Sequence, residues 1–149
     1  MAKTGEVFFL EDDAVMQQAL KIIRQYYPDT QAVLLFGTYG TAYQTEKSDV
    51  DLALLLPHDT AVEAGTIAAS DCMFALADYF SRDVDLINLR VVDTVFQMQI
   101  IETGNVVFCR DATAFDTFAM YVLSLYQILQ EERAGILEDV RKSGRILQP

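Results

Sequence analysis

Two strand-like segments of the chain begin with the same run of residues, Asp-Val-Asp-Leu, and so bring four carboxylates into the chain's apolar part. The first segment supplies Asp49 and Asp51, and the second supplies Asp83 and Asp85. Side chains alternate faces along a strand, so the acids of one pair share a face and lie about 7 Å apart. On neighbouring strands these carboxylates would repel one another unless a cation lay between them. Since oxygen-only ligands favour Mg²⁺ or Mn²⁺, the acids predict a divalent metal site.

A second chemical feature is the Gly37-Thr38 pair, which is followed by ten residues and then Asp49. Gly37 ends an apolar run and would let a ligand approach the backbone closely. Thr38 offers a hydroxyl and, at the start of an expected short helix or turn, a backbone amide for a phosphate. The alternative is that Thr38 is only a helix N-cap. A phosphate site beside metal-binding acids is the equipment of phosphoryl or nucleotidyl transfer.

The apolar pattern predicts the elements that position these groups as an α/β fold. Helices are expected over residues 11–27, 60–80, 91–104 and 112–142, and strands over 32–36, 49–56, 82–89 and 105–110. The link between the first two strands is too short for a βαβ crossover, so we expect them to pair antiparallel within a mixed sheet flanked by helices. In the helix over 60–80 the residues expected to face the core are Ile67, Met73, Phe74, Ala77 and Phe80.

The final helix carries more apolar residues than one buried face requires. Its main stripe consists of Phe115, Phe118, Ala119, Val122, Leu125, Tyr126, Leu129 and Ile136. Four further apolar residues, Met120, Tyr121, Leu123 and Ile128, lie off that stripe. A single stripe is ordinary core packing, whereas the additional residues predict a second contact with a partner or a second copy.

Composition narrows the possible functions. Hydrophobic residues make up 52% of 149, and the formal charge is −11. Such a chain is globular, suits a basic protein partner and lacks the basic stripe that nucleic acid requires. No apolar run is long enough to span a membrane and no secretory signal is evident, so we expect a cytoplasmic protein. Cys72 and Cys109 are isolated and are expected to be buried free thiols.

The spacing of Gly37-Thr38 and Asp49-x-Asp51 resembles the Gly-Ser…Asp-x-Asp motif of polymerase-β-like nucleotidyltransferases. The segments "SDVDLALL", "DVDLINLR" and "YQILQEERAGILEDV" are similar to those of the minimal nucleotidyltransferase (MNT) antitoxins of HEPN–MNT toxin–antitoxin pairs. The resemblance implies one nucleotidyltransferase domain over residues 1–149, with its motif core at about 31–90. Thr38 stands where serine is usual, and Ala42 lies where relatives often have glycine.

By this resemblance the protein is an Mg²⁺-dependent enzyme that uses ATP. Gly37 and Thr38 would bind the triphosphate, and Asp49 and Asp51 would bind the metal. Asp85 matches the family's third carboxylate, which completes the metal site and helps to deprotonate the attacking hydroxyl. In these antitoxins AMP is transferred to a tyrosine of the partner HEPN ribonuclease toxin, which is thereby inactivated.

Several residues near the motifs have simpler interpretations. Asp83 competes with Asp85 for the third-acid role, although it fits a merely exposed strand entry better. His58 is expected to be a surface residue, and Lys47 and Arg90 are expected to form ion pairs of small energetic weight rather than part of the site.

Two other functions are compatible with the motifs. One is a small-molecule nucleotidyltransferase of the antibiotic-modifying type, although such enzymes generally carry an extra domain for the acceptor. The other is an antitoxin that acts by binding alone, with vestigial acids. A neighbouring reading frame containing Arg, a short spacer and His-x-Tyr would favour the toxin-modifying function over the small-molecule enzyme.

Overall fold

The computed structural model describes residues 13–143, which form a mixed four-stranded sheet with helices on both faces. The elements in chain order are α1 (Ala14–Tyr26), β1 (Ala32–Phe36), β2 (Val50–Leu55), α2 (His58–Ala64), α3 (Asp71–Phe80), β3 (Val84–Asn88), α4 (Thr94–Thr103), β4 (Asn105–Cys109) and α5 (Ala112–Ser143). The strand order is β3-β2-β1-β4, in which β1 pairs antiparallel with β2 and β4, and β2 pairs parallel with β3. The predicted fold class, the antiparallel first pair and the long final helix are confirmed.

Two predictions extend beyond the described residues. The first helix is expected from Glu11, but Glu11 and Asp12 lie outside the described range, as does the N-terminal segment in which no secretory signal is expected. Within the range, Asp13 caps α1, since its carboxylate accepts from the Val15 and Met16 amides. The single domain over 1–149 stays a prediction.

Each face of the sheet packs on its own core, and the β2 residues in these two cores show on which face Asp51 lies. Val50, Leu52 and Leu54 of β2 belong to the core beneath α1 and α3. Ala53 and Leu55 point the other way, into the core beneath α4 and α5. Because faces alternate along a strand, Asp51 lies on the α4–α5 face, at the N-terminal rim of β2.

The predicted helix over 60–80 is two helices. The chain breaks at Gly65, whose φ is +62°, and restarts at Ser70, whose hydroxyl accepts from the Met73 amide. The second helix therefore does not continue the first, and Phe74 on it is 60% exposed, so its predicted core position is wrong. Ile67 is buried as predicted, and Met73, Ala77 and Phe80 pack partly buried against the core.

The core stripe of α5 ends earlier than predicted. Phe115, Phe118 and Val122 are buried, whereas Leu129 and Ile136 are 43% and 51% exposed, so their predicted core positions are wrong. A helix of 32 residues is about 48 Å long, and strands of five or six residues span only about 17–20 Å. The second half of α5 therefore extends past the sheet. None of the helices within residues 13–143 is long and apolar enough to cross a membrane.

Candidate active site

The two acid strands are neighbours, as the metal hypothesis required. In the parallel register of β2 and β3, Asp51 is the Cα partner of Asp85. On its other side Asp51 is the Cα partner of Phe36, the last residue of β1. Asp51 is partly buried and Asp85 is exposed. The structure thus places two carboxylates side by side at the rim of the sheet.

The ionised form of Asp51 is disfavoured in the protein when no cation is bound. Its pKa is raised from 3.8 to about 6, first because burial disfavours the ionised form and then because Asp85 and Asp49 repel it. A bound cation would reverse the electrostatic part of this shift, since an opposite charge stabilises a carboxylate. The local electrostatics therefore fit a cation at these acids.

Asp49 is placed differently from the sequence expectation. The strand begins at Val50, so Asp49 lies in the preceding loop, is exposed, and lines a shallow hollow with Asp83 and Arg82. It is still close enough for its charge to raise the pKa of Asp51. Between residues 13 and 143, no three His, Cys, Asp or Glu side chains converge as a ready-made metal site. A metal bound here would have to draw Asp49 inward or take further ligands from a substrate.

Gly37 lies directly against the Asp51 carboxylate. It has a φ of +75°, and a Cβ at this position would lie 1.9 Å from Asp51 Oδ2 and 2.9 Å from Asp51 Cγ. No side chain fits in that space without displacing the carboxylate, and a positive φ is itself unfavourable for residues other than glycine. The close approach that Gly37 permits is therefore to Asp51, which couples the glycine turn to the acid strand.

The segment after Gly37 consists of turns rather than a helix. The Thr38 carbonyl accepts from the Thr41 amide at 3.1 Å and from the Thr41 hydroxyl at 2.6 Å, which closes a turn. Of the two expected alternatives, a short helix or a turn, the structure has the turn, so the helix N-terminal amide and the helix-cap role expected for Thr38 are wrong. The exposed Thr38 hydroxyl instead donates to Ser48 Oγ at 3.1 Å, next to Asp49. Thr41 favours the turn because its hydroxyl bonds to the nearby backbone, and Gly40 has a φ of +80°, which a right-handed helix does not allow.

Two residues of this region were missed by the sequence reasoning. Ser48 connects the Thr38 turn to the loop before Asp49. Arg82 donates to backbone carbonyls of that same loop from the far side. The available signals were a hydroxyl directly before the first acid pair and a cation directly before the second.

Two of the remaining candidates, His58 and Arg90, lie beyond the ends of β2 and β3 that are opposite to the acid pair. Arg90 follows the opposite end of β3, where it donates to the Leu56 carbonyl. Exposed His58 begins α2 as a surface residue, and Lys47 is exposed in the loop before Asp49. Cys72 is buried and burial raises its thiol pKa to about 12, whereas Cys109 is exposed, so the prediction of two buried thiols is wrong for Cys109.

Comparison with known families gives a match over most of the chain. The profile of the family described as "Polymerase beta, Nucleotidyltransferase" matches residues 17–113, which include all four strands. A curated relative, "Protein adenylyltransferase MntA" of Shewanella oneidensis, is 34% identical over 121 residues, covering 81% of this chain and 84% of the relative.

Solved structures give the same result in three dimensions. A crystal structure of a toxin–antitoxin with AMP-PNP is 33% identical, with a TM-score of 0.67 over 84% of this chain and 97% of that chain. A structure of a tri-AMPylated Shewanella oneidensis HEPN toxin in complex with an MNT antitoxin is 31% identical, with a TM-score of 0.64 over 85% of this chain and 96% of that chain. The similarity extends over nearly the whole length of the matched chains.

Proposed function

The chain belongs to the polymerase beta nucleotidyltransferase family, and on that basis we propose that it is an antitoxin that transfers AMP from ATP to a tyrosine of a HEPN toxin. The observation that carries the proposal is the pair of carboxylates at Asp51 and Asp85 against the Gly37 turn. The 34% identical relative is a protein adenylyltransferase, and a solved complex of the same fold contains an AMPylated HEPN toxin. A cytoplasmic location goes with the use of ATP.

In the proposed reaction, Gly37 and Thr38 bind the triphosphate of ATP. The tyrosine hydroxyl attacks the α-phosphorus, a new O–P bond forms, and the bond to pyrophosphate breaks. Asp85, the exposed member of the pair, accepts the hydroxyl proton, which makes the oxygen a better nucleophile. Partly buried Asp51 lies against Gly37, whose lack of a side chain leaves room for the carboxylate.

The acids Asp49, Asp51 and Asp85 are the proposed ligands of Mg²⁺ or Mn²⁺. The raised pKa of Asp51 fits this assignment, because mutual repulsion among these carboxylates is relieved by a divalent cation. When bound, such a cation neutralises charge that develops on the phosphates. Carboxylate ligands suit these hard metals rather than zinc or copper.

The partner surface proposed here is the exposed apolar surface of α5, which combines the residues off the core stripe with the part of the stripe that extends past the sheet. Met120, Tyr121 and Leu123 are 70%, 62% and 51% exposed, and Ile128, Leu129, Ile136 and Leu137 are also exposed. The HEPN toxin is the proposed occupant, because similar chains are solved as toxin–antitoxin complexes and a net charge of −11 suits a basic partner. Tyr121 and Leu123 are not among the proposed ATP or metal ligands, so docking can be tested apart from catalysis.

Mass spectrometry of a co-expressed HEPN toxin tests the proposed function. Wild-type protein should add AMP to a tyrosine of the toxin, and the added mass should be lost when ATP and Mg²⁺ are withheld from purified components. A toxin that is neutralised but unmodified would contradict transfer and favour an antitoxin that acts by binding alone. Transfer to an aminoglycoside but not to the toxin would favour the small-molecule enzyme.

Substitution of Thr38 tests its role toward phosphate. Thr38→Val should lower the transfer rate on the order of 10²-fold, because loss of one positioned donor typically has that effect. Thr38→Ser is the matched control, since it keeps the hydroxyl and removes only the methyl group, and its rate should equal or exceed wild type. Equal rates for Thr38→Val and wild type would show that the hydroxyl does not bind phosphate and serves only in the contact with Ser48.

A double substitution on α5 tests the partner surface. Tyr121→Asp with Leu123→Asp should weaken toxin co-purification, because charges replace apolar contact area, while the free domain stays folded since both side chains are exposed. Transfer to a free tyrosine-containing peptide should persist. Val122→Asp is the contrasting control, because Val122 is fully buried and its replacement should unfold the domain. Undiminished co-purification of the double variant would place docking elsewhere.

A further inference from the structure

Arg82 connects three parts of the candidate site, although it lies in none of the motifs. Its Nη1 lies within hydrogen-bond distance of three backbone carbonyls: Thr45 at 3.0 Å, Glu46 at 3.3 Å and Ser48 at 2.9 Å. Its guanidinium also lies over the Tyr39 ring, 5.2 Å from the centroid. The arginine therefore holds the loop before Asp49 from one side and the residue after Thr38 from the other.

The backbone next to Arg82 and the ring that its guanidinium contacts are both held by the sheet and the core. Arg82 follows α3, and the Val50 amide at the start of β2 donates to the carbonyl of the next residue, Asp83, at 2.9 Å. Tyr39 is buried and packs edge-on against Phe80, with ring centroids 5.5 Å apart. A side chain based here and directed at the loop fixes that loop relative to the sheet.

The loop itself has little other support. Its residues from Thr45 to Lys47 are exposed, and its remaining hydrogen bonds run mainly within the loop itself, between Thr45, Lys47 and Ser48. The two N–H groups of Nη1 are shared among these three carbonyls, and such charge-assisted contacts are stronger than the neutral ones inside the loop. The position of Asp49, which follows the loop, consequently depends on Arg82.

We propose that Arg82 is a positioning residue that fixes the loop from Thr45 to Ser48, and through it Asp49 and the Ser48–Thr38 contact. The part of this inference that concerns metal binding rests on the proposed function. The part that concerns the loop does not. The two parts are therefore measured separately.

The first measurement is cleavage by endoproteinase Lys-C after Lys47, on the protein without nucleotide. The carbonyls held by Arg82 flank this peptide bond, and a protease must pull the loop out to cut it. Arg82→Met keeps the apolar stem on Tyr39 but removes every donor, so cleavage at Lys47 should accelerate roughly ten- to hundredfold. Arg82→Lys retains a cation and donors, so its rate of cleavage at Lys47 should lie between those of wild type and Arg82→Met.

The matched control is Arg90→Met. Arg90 is the equivalent arginine at the other end of β3, where it donates to the Leu56 carbonyl and to Gln31 and lies over the Phe118 ring at 5.4 Å. Its loss removes a comparable set of contacts far from the acids. Thermal melts of both variants should be similar, and only Arg82→Met should expose Lys47.

The second measurement is Mn²⁺ affinity in the presence of AMP-PNP, followed by the electron paramagnetic resonance of free Mn²⁺. Loss of a residue that orients a metal ligand typically weakens metal affinity by about 10- to 100-fold, which we expect for Arg82→Met and not for Arg90→Met. Cleavage of Arg82→Met at the wild-type rate, or faster cleavage with unchanged Mn²⁺ affinity, would overturn the positioning role. If wild type binds no Mn²⁺, the proposed function fails, and the Lys47 cleavage rate alone decides whether Arg82 holds the loop.

Discussion

Asp51→Asn should abolish AMP transfer while leaving the protein folded and no less stable. The amide cannot replace the carboxylate toward a divalent cation, and the lost stabilisation of several kcal/mol corresponds to a fall of at least about 10³-fold in rate. The ionised form of Asp51 is disfavoured in the folded protein, as its raised pKa shows, so near neutral pH this charge lowers the free energy of unfolding. Removing it should keep or raise the melting temperature. Transfer is followed by mass spectrometry and unfolding by circular dichroism.

Asp83→Asn is the matched control for this prediction. Asp83 belongs to the second Asp-Val-Asp run, is exposed, and precedes β3, whereas Asp85 is the direct neighbour of Asp51. Asp83→Asn should retain most of the activity, and Asp85→Asn should lose it. Transfer by Asp51→Asn at the wild-type rate with Mg²⁺ present would refute the assignment of the acid pair. Loss of activity in Asp83→Asn but not in Asp85→Asn would move the third acid to Asp83.

Gly37→Ala should inactivate the protein by displacing Asp51. The new methyl group would lie 1.9 Å from Asp51 Oδ2, so the carboxylate must rotate or the turn must move. A displacement of about 1 Å at a reacting centre can lower the rate on the order of 10²-fold. The positive φ adds a loss of about 1–2 kcal/mol in the free energy of unfolding, because L residues disfavour that conformation.

Gly65→Ala separates the effect of the clash with Asp51 from the effect of a methyl group at a positive φ. Gly65 has a similar φ of +62°, but a Cβ there meets nothing within 4 Å. Both variants should therefore lose stability in denaturant titrations, because each places a methyl group at a positive φ, and only Gly37→Ala should lose transfer activity. Equal activity of the two variants would mean that the contact between Gly37 and Asp51 has no part in the reaction.

The sequence by itself determined most of the elements and the chemical class of the protein. The apolar run along 49–56 predicts a strand that begins at its acids, and the Gly37-Thr38…Asp49-x-Asp51 spacing resembles that of nucleotidyltransferases. Chain connectivity also predicted the antiparallel first pair, because a short link cannot make a crossover. These features depend on residues close together in the chain, whose constraints are local.

Only the tertiary structure decided which acids meet and what holds them. The parallel register that sets Asp51 beside Asp85 is a long-range pairing, and the contact between Gly37 and the Asp51 carboxylate exists only once β1 and β2 have paired. Leu129 and Ile136 follow a helical stripe that the sequence cannot distinguish from core, and they are exposed because α5 is longer than the sheet it packs on. Arg82 was not recognised for the same reason, since its partners lie 34 to 37 residues away in the chain and become neighbours only through the fold.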